Sequence, residues 1–288
     1  DVIWAASGHL VSWDQVVINR QKTTQVVMPL LKVEAQISLE AGYEVGPISV
    51  GVDGTGFLTG IEYKGRSMMS APPDSCFWRA PTDNDGVKQG WMASVSGVRQ
   101  KWIREGLDNL EIHRNKYEAY KYGDDVFLVF EREIHGVSNF ALHHSVYSLT
   151  ANGIYVTERI DIPEDWDDMP RVGVRFEMPE SFNSLRWFGR GPQESYSDRF
   201  VSQMVGIWES DVESQYHRYV VPQEHGAHHQ TRWFTLEESS GLQIRIAASN
   251  LFSFSARFHH DLDIAPAKTI ADLKQRDTVE VHVDTGLR

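Results

Sequence analysis

"DVFLVFEREI", residues 125–134, reads as a β-strand, with β-branched and aromatic residues in its first half and apolar–polar alternation toward its end. The stretches "SVYSLT" (145–150), "IYVTERIDI" (154–162), "GLQIRIAAS" (241–249) and "TVEVHVD" (278–284) carry the same two-residue period. Between two of them, Asn152-Gly153 offers a positive-φ pair for a tight hairpin turn. A further pair of strands is expected in "ISVGVDGTGFLTGIEYKG" (48–65), with Asp53-Gly54 at its turn. Against this background Trp91, Val95, Val98 and Trp102 stand at helical spacing and predict one short helix over 90–105. The expected fold is therefore all-β, a large antiparallel assembly too long for a simple seven-stranded sandwich.

Composition narrows the function. The 288 residues suit one large β domain or two ordinary ones, and 41% are hydrophobic, with 9 Trp, 13 Phe and 10 Tyr to fill a core. With 28 basic against 40 acidic residues the net charge is −12, which repels a phosphate backbone and an anionic lipid surface. Neither nucleic acid nor membrane is an expected partner, and no apolar run approaches the roughly 18 residues that span a bilayer. A single cysteine, Cys76, excludes an internal disulfide and a cysteine zinc site and fits a reducing compartment. Residues 1–24 read apart from the rest: "GHLVSWDQVVI" is one amphipathic strand followed by a polar linker, and a lone strand needs a neighbour to bury it. The acidic start lacks a basic leader region and a Met, so the chain reads as cut from something longer.

Three polar stretches interrupt the strand pattern. In "FWRAPTDNDG" (77–86) a calcium loop would need an oxygen ligand at 81 and a Glu at 92, where Pro81 and Met92 stand. What remains is a polar turn, with Arg79 and Asp83 placed to form a charge-assisted pair across Pro81. In "RWFGRGPQESYSDR" (186–199) Gly189 and Gly191 begin a dinucleotide-like pattern, but Glu194 occupies the third glycine position. The glycines and Pro192 describe instead a tight corner after a strand, from which Glu194, Tyr196, Asp198 and Arg199 present polar groups, for a buried network or for binding. In "VPQEHGAHHQTRW" (221–233) Glu224, His225, His228 and His229 lack the spacing of a zinc motif, and adjacent histidines on an extended chain face opposite ways. Glu224 with His225 remains a conceivable acid–base pair. The pairs His143-His144 and His259-His260 read as strand residues, and "PEDWDDMP" (163–170) as a solvated connector.

Taken in order, "RAPTDND" (79–85), "WFGRGPQESYSDR" (187–199) and "VPQEHG" (221–226) closely resemble the C-terminal domain of the large β-galactosidases of glycoside hydrolase family two. "GFLTGIEYKG" (56–65) and "GLDNL" (106–110) extend the resemblance over nearly the whole chain. It implies a β-supersandwich, the galactose mutarotase-like fold, over 25–288, truncated at its C-terminus, and assigns 1–24 to the tail of a preceding immunoglobulin-like domain. In that family a retaining pair of glutamates lies on a TIM barrel, so no catalytic residue is carried over to this chain. The signature residues Arg79, Asp83, Asn84, Asp85, Gly189, Gly191, Pro192, Glu194, Tyr196, Asp198, Arg199, Glu224 and Gly226 become candidates for a barrel-facing or sugar-proximal surface. A late Gly-rich loop bordering the sugar subsites would follow "TVEVHVDTG", and His228 stands where the family usually has a basic residue.

The resemblance further implies that no cofactor or metal belongs to this chain, that any divalent cation of the parent is bound elsewhere, and that the partners are the parent's other domains and a galactoside. The parent is expected to be a cytoplasmic homo-oligomer. Two rival readings on the same fold are a stand-alone mutarotase or aldose epimerase using Glu224, and a sugar-binding module using surface Trp.

Overall fold

A computed structural model describes residues 2–4, 9–12, 15, 35–37, 42–86, 97–166 and 168–287. Its first strands are β1 (Val2–Trp4), β2 (His9–Ser12), β3 (Ala35–Gln36), β4 (Gly42–Val45), β5 (Ile48–Val52), β6 (Leu58–Tyr63), β7 (Arg66–Ser67) and β8 (Ala71–Cys76). Helix α1 (Val98–Glu105) precedes β9 (Glu111–Tyr122), β10 (Asp125–His135), β11 (Phe140–Thr150), β12 (Gly153–Asp161), β13 (Arg171–Pro179) and β14 (Ser184–Gly191). The chain continues with β15 (Met204–Asp211), β16 (His228–Glu237), β17 (Gln243–Arg257), the single-turn helix α2 (Asp261–Ile264) and β18 (Thr278–Leu287).

Every pairing is antiparallel. The larger sheets run β12-β11-β10-β9-β3 and β15-β14-β16-β17-β18-β13-β8, and β4 to β7 form a smaller one. This is the all-β antiparallel sandwich class that the two-residue period predicts.

The opening stretch lies in β10, at the centre of the five-stranded sheet. Register places Ala119, Leu128 and Tyr147 in one row across three strands, and all three are buried. With Phe130, stacked on Tyr117 at 5.1 Å, they pack against Tyr43, Val50, Val52 and Leu58 of the smaller sheet. The seven-stranded sheet buries Trp187, Phe234, Phe254 and Val281 on one face, with the Phe234 and Phe254 rings stacked at 4.3 Å. A third cluster joins Phe77, Trp102, Ile134 and Trp166 where α1 meets the ends of β10 and β11.

Strand β8 links the two large sheets through polar contacts. Asp74 accepts from Arg132 of β10 at 3.2 Å, and Ser75 Oγ lies 2.5 Å from His143 Nδ1 of β11, whose Nε2 in turn meets Glu158 of β12. His143 is thus a strand residue, as expected, and a pin between layers as well. His259 and His260 instead follow the end of β17, outside any strand, because the chain turns there into α2.

Other differences have local causes. Thr150 pairs with Gly153, so the hairpin loop is Ala151-Asn152 and not Asn152-Gly153. Thr150 Oγ1 stabilises it, accepting from Asn152 N at 3.2 Å and donating to Gly153 O at 3.0 Å. The segment 163–170 is no mere connector, because Trp166 is buried against Phe77 and the Asp168 carbonyl accepts from Trp102 Nε1 at 2.7 Å. Of the predicted helix, Val98–Glu105 is helical, while Trp91 and Val95 fall outside the described residues. At the Asp53 turn the expectation holds, the carboxylate accepting from Thr55 N at 2.8 Å and Phe57 N at 2.9 Å. Near the N-terminus β1 and β2 form a separate two-stranded ribbon, and Gln15 clamps the backbone of Val205 on edge strand β15 at 2.6 and 2.9 Å.

Phe254→Ala is expected to destabilise the chain by about 3–5 kcal/mol, since a fully buried ring leaves a cavity. Val220→Ala, at a position 88% exposed, is expected to stay within about 0.5 kcal/mol. Urea unfolding midpoints of the two variants check the contrast.

Candidate functional site

The loop after β8 begins with Arg79, and its guanidinium is only 2% exposed. A buried charge needs a partner, and Asp85 supplies a bidentate one at 2.7 and 3.0 Å. The expected pairing with Asp83 is therefore corrected. The intervening residues make a single 3₁₀ turn that carries the carboxylate of Asp85 back to Arg79. Asp85 also accepts from Thr82 N and Oγ1, each at 2.8 Å, and the Arg79 guanidinium lies over the Trp102 ring at 5.2 Å. With both oxygens engaged, Asp85 is held below the usual carboxylate range despite burial. Asp83 and Asn84, at the tip, are exposed.

The second motif leaves β14 through Gly191-Pro192, a cis peptide. A Cβ at Gly189 would lie 2.6 Å from Thr231 Oγ1, and one at Gly191 2.6 Å from Trp208 Cδ1. Both glycines are set by close packing within the sheet and do not border the site. Beyond them Glu194 accepts from Arg199 Nη2 at 2.7 Å, from Tyr219 Oη at 2.6 Å and from Gly226 N at 2.7 Å. Gly226 has φ +76°, which suits glycine and turns its N–H toward Glu194. Tyr196 is buried beneath Arg199, at 4.8 Å.

From the third motif Glu224 enters a fully buried ion network. Its oxygens accept from Arg171 at 3.2 Å and Arg257 at 3.0 Å. Arg171 also binds Asp261 at 2.9 Å and Asp284 at 3.1 Å, and Arg257 binds Asp261 at 2.9 Å and Glu280 at 3.4 Å. Arg175 reaches Glu280 at 2.6 Å. Burial raises Glu224 above its ordinary value and pushes Asp284 up to about 7, whereas the arginines hold Asp261 down to about 2.

Together the three motifs border a single cleft of about 490 Å³. Its walls come from residues 79–85, from 196–199 and from Tyr219, Gln223 and Glu224. Asp83 N donates to Gln223 Oε1 at 3.0 Å and so stitches the first motif to the third. Gly189, Gly191, Pro192, Glu194 and Gly226 lie outside its lining. The sequence reading missed Arg171, Arg257, Asp261, Glu280 and Asp284, which bury the floor. Its available signal was charge at inward positions of "RVGVRFEMP" (171–179) and "TVEVHVD" (278–284).

Chemically, this floor is structural. Each oxygen of Glu224 is held by an arginine, and His225 Nδ1 lies 3.0 Å from Gln223 O, so Glu224 and His225 form no acid–base pair. His228 stacks beside Trp187 and bonds Gln215 Oε1 at 2.7 Å. Ligand atoms of Asp261, Glu280 and His282 lie within 4.8 Å of one another, a spacing a metal could use. Three guanidinium groups already serve those two carboxylates, however, and would repel a cation. Burial pushes the Cys76 thiol up to about 12, which leaves it no nucleophile near neutral pH.

An antiparallel all-β sandwich bearing one polar cleft over a buried ion network is the class that the fold and site define. The chain belongs to the β-galactosidase small-chain family, whose profile matches residues 48–288. It is 27% identical over 293 aligned positions to a β-galactosidase of Streptococcus thermophilus, covering 97% of this chain and 27% of that protein. To the β-galactosidase of Arthrobacter sp. (strain B7) it is 30% identical, over 85% of this chain and 24% of the relative. To that of Psychromonas ingrahamii it is 25% identical, over 99% and 28%. The chain thus spans about a quarter of the length of these curated relatives.

Arg79→Ala would strand Asp85 in a buried position and is expected to cost about 3–5 kcal/mol of fold stability by urea unfolding. A pH series tests the floor. Burial draws His225 and His228 down to about 3 and His282 to about 4, so each is neutral when folded and gains a proton on unfolding below about 6.5. Their contribution is complete above that pH and is lost as pH falls. Asp284 acts oppositely, since the folded state keeps a proton that the unfolded chain releases above about 4. Stability should therefore fall by about 1–3 kcal/mol per pH unit near pH 5, for a net one to two protons. Asp284→Asn should steepen that fall.

Proposed function

We propose that this chain is part of a β-galactosidase that hydrolyses terminal non-reducing β-D-galactosyl bonds of the lactose type. In this reading the chain is a non-catalytic domain whose cleft face adjoins the catalytic barrel, shapes a wall of its pocket and takes part in subunit contacts. The convergence of all three signature stretches on one cleft carries the reading, and the family match over 48–288 supports it. The relatives' additional length supports a catalytic centre elsewhere in the parent, as does the pairing of Asp85 and Glu224 with arginines.

The β1–β2 ribbon is read as the tail of a preceding immunoglobulin-like unit, supported by its separation from the other sheets. The parent is read as a homo-oligomer of a reducing, cytoplasmic compartment, with its cation sites outside this chain. A free, buried Cys76 agrees with that compartment. Among the described residues no helix is long and apolar enough to cross a membrane. A mutarotase role is disfavoured because Glu224 is sealed from substrate by Arg171 and Arg257.

The pure chain should release no product from a chromogenic β-galactoside and should leave the mutarotation of galactose unchanged in a polarimeter. The intact parent should hydrolyse the galactoside. Turnover by the chain alone, or a parent inert toward galactosides, would sink the reading.

A further inference from the structure

The outward face of the seven-stranded sheet carries a charge pattern distinct from the cleft. On β14 the alternation that buries Leu185 and Trp187 turns Arg186, Phe188 and Arg190 outward. Register sets Arg186, Thr235 and Arg245 in one row across three strands, and Phe188 beside Trp233 in the next. The Arg245 guanidinium lies over the Trp233 ring at 4.7 Å, and that of Arg186 at 5.9 Å. Farther along, the register of β16 shifts on either side of Thr231, and the Arg232 guanidinium lies over Phe188 at 4.9 Å. Gln230, at φ +51°, joins Arg190 to Arg232. Its side-chain oxygen accepts from Arg190 Nε at 2.9 Å and its carbonyl from Arg232 Nη1 at 2.6 Å. The face thus presents two arginines, two aromatic rings and two further arginines, none of which lines the cleft.

Such a set of cations is costly as it stands. The chain has a net charge of −12, yet among the described residues only Glu209 reaches any of the four at ion-pair distance. It holds Arg186 at 3.0 Å with a side chain 73% exposed, and exposed pairs of this kind contribute little. Arg190 and Arg232 are bonded to neutral acceptors. Burial draws both below their ordinary values, and the charge of Arg190 draws Arg232 down further. Arg186 and Arg245 stand two strands apart, about 10 Å, where like charges still repel. Carboxylates on a partner would relieve this repulsion, because guanidinium groups hold them bidentately.

The spacing selects the partner's form. Arg186 and Arg190 are four strand residues apart, about 13 Å, with Phe188 between them. An extended peptide repeats every two residues on one face, so its residues i and i+4 match the two arginine pairs while i+2 meets the rings. A nucleic acid would bring the charge without the apolar middle position, and the net field of the chain opposes a long polyanion. We infer that the outward face of β14, β16 and β17 is a docking site for an extended acidic peptide segment of a partner protein, patterned acid–x–apolar–x–acid. The inference uses no residue of the cleft and stands apart from the galactosidase reading, so either can fail alone.

The test is binding of the end-capped peptide Glu-Thr-Leu-Thr-Glu to the 288-residue chain at low salt, followed by fluorescence anisotropy of labelled peptide and by amide chemical shifts. Saturation with a Kd of about 0.1–1 mM is expected, with shifts centred on 186–190, 230–235 and 245. The isomer Glu-Glu-Thr-Leu-Thr, equal in charge but with its acids on opposite faces, should bind at least fivefold more weakly, as should a short single-stranded DNA. Arg186→Gln and Arg245→Gln, both at exposed positions, should each weaken binding threefold or more while the urea midpoint is unchanged. The inference falls if the peptide does not saturate, if the isomer or the DNA binds as tightly, if binding survives the double substitution, or if the shifts map elsewhere.

Discussion

The buried pairing of Arg171 and Arg257 with Glu224 and Asp261 is the constraint on which the rest depends. Its members come from β13, β17, α2 and the segment before β16, so those elements meet only when the charges do. Desolvating such ions is expensive, and the attraction repays it only with near-complete hydrogen bonding. The charge balance shows how far this is achieved. Three guanidinium groups, counting half-buried Arg175, face Glu224, Asp261 and Glu280. Asp284 is a fourth carboxylate in excess, and accordingly it is the one pushed up to about 7. An apolar floor would be cheaper to bury, but it would not fix the path of residues 221–226, which have no sheet partner of their own.

From that floor the cleft is built outward by decreasing burial. Glu224 is inaccessible, Tyr196 sits above it at 5% exposure, and Arg199 covers Tyr196 from the solvent side. Arg79 repeats the logic across the cleft, anchored below by Trp102 and Asp85 so that Asp83 and Asn84 stand out at the tip. Acidic residues of the same type thus take opposite roles. A carboxylate two residues from an exposed one serves as buried cement because an arginine reaches it.

The architecture was legible in the sequence because strand alternation and burial share one period. The rows Ala119–Leu128–Tyr147 and Trp187–Phe234 follow from it directly. The three polar stretches were also legible as units, since each breaks the alternation with Gly, Pro and clustered charge. Pairing within them was not. Arg79 could meet Asp83 or Asp85 on spacing alone, and the 3₁₀ turn that decides between them is a matter of backbone geometry. Arg171 and Arg257 were less visible still, because one inward-facing arginine in a strand looks like an outward-facing one until the opposite layer is known. Trp166 hid in an acidic run for a related reason: its neighbours' charge set the reading, while its own ring set the burial.

This difference between pairing and pattern also bears on where chemistry can occur. A general acid or base needs a carboxylate that can exchange a proton with a ligand. In this cleft Glu224 and Asp85 are buried and locked to arginines, whereas Asp83 and Asp198 are exposed. Burial and accessibility are therefore divided between different residues of this cleft, and the buried carboxylates are engaged in holding its walls. For a family member covering about a quarter of its relatives' length, that division places rigidity in the walls of the cleft.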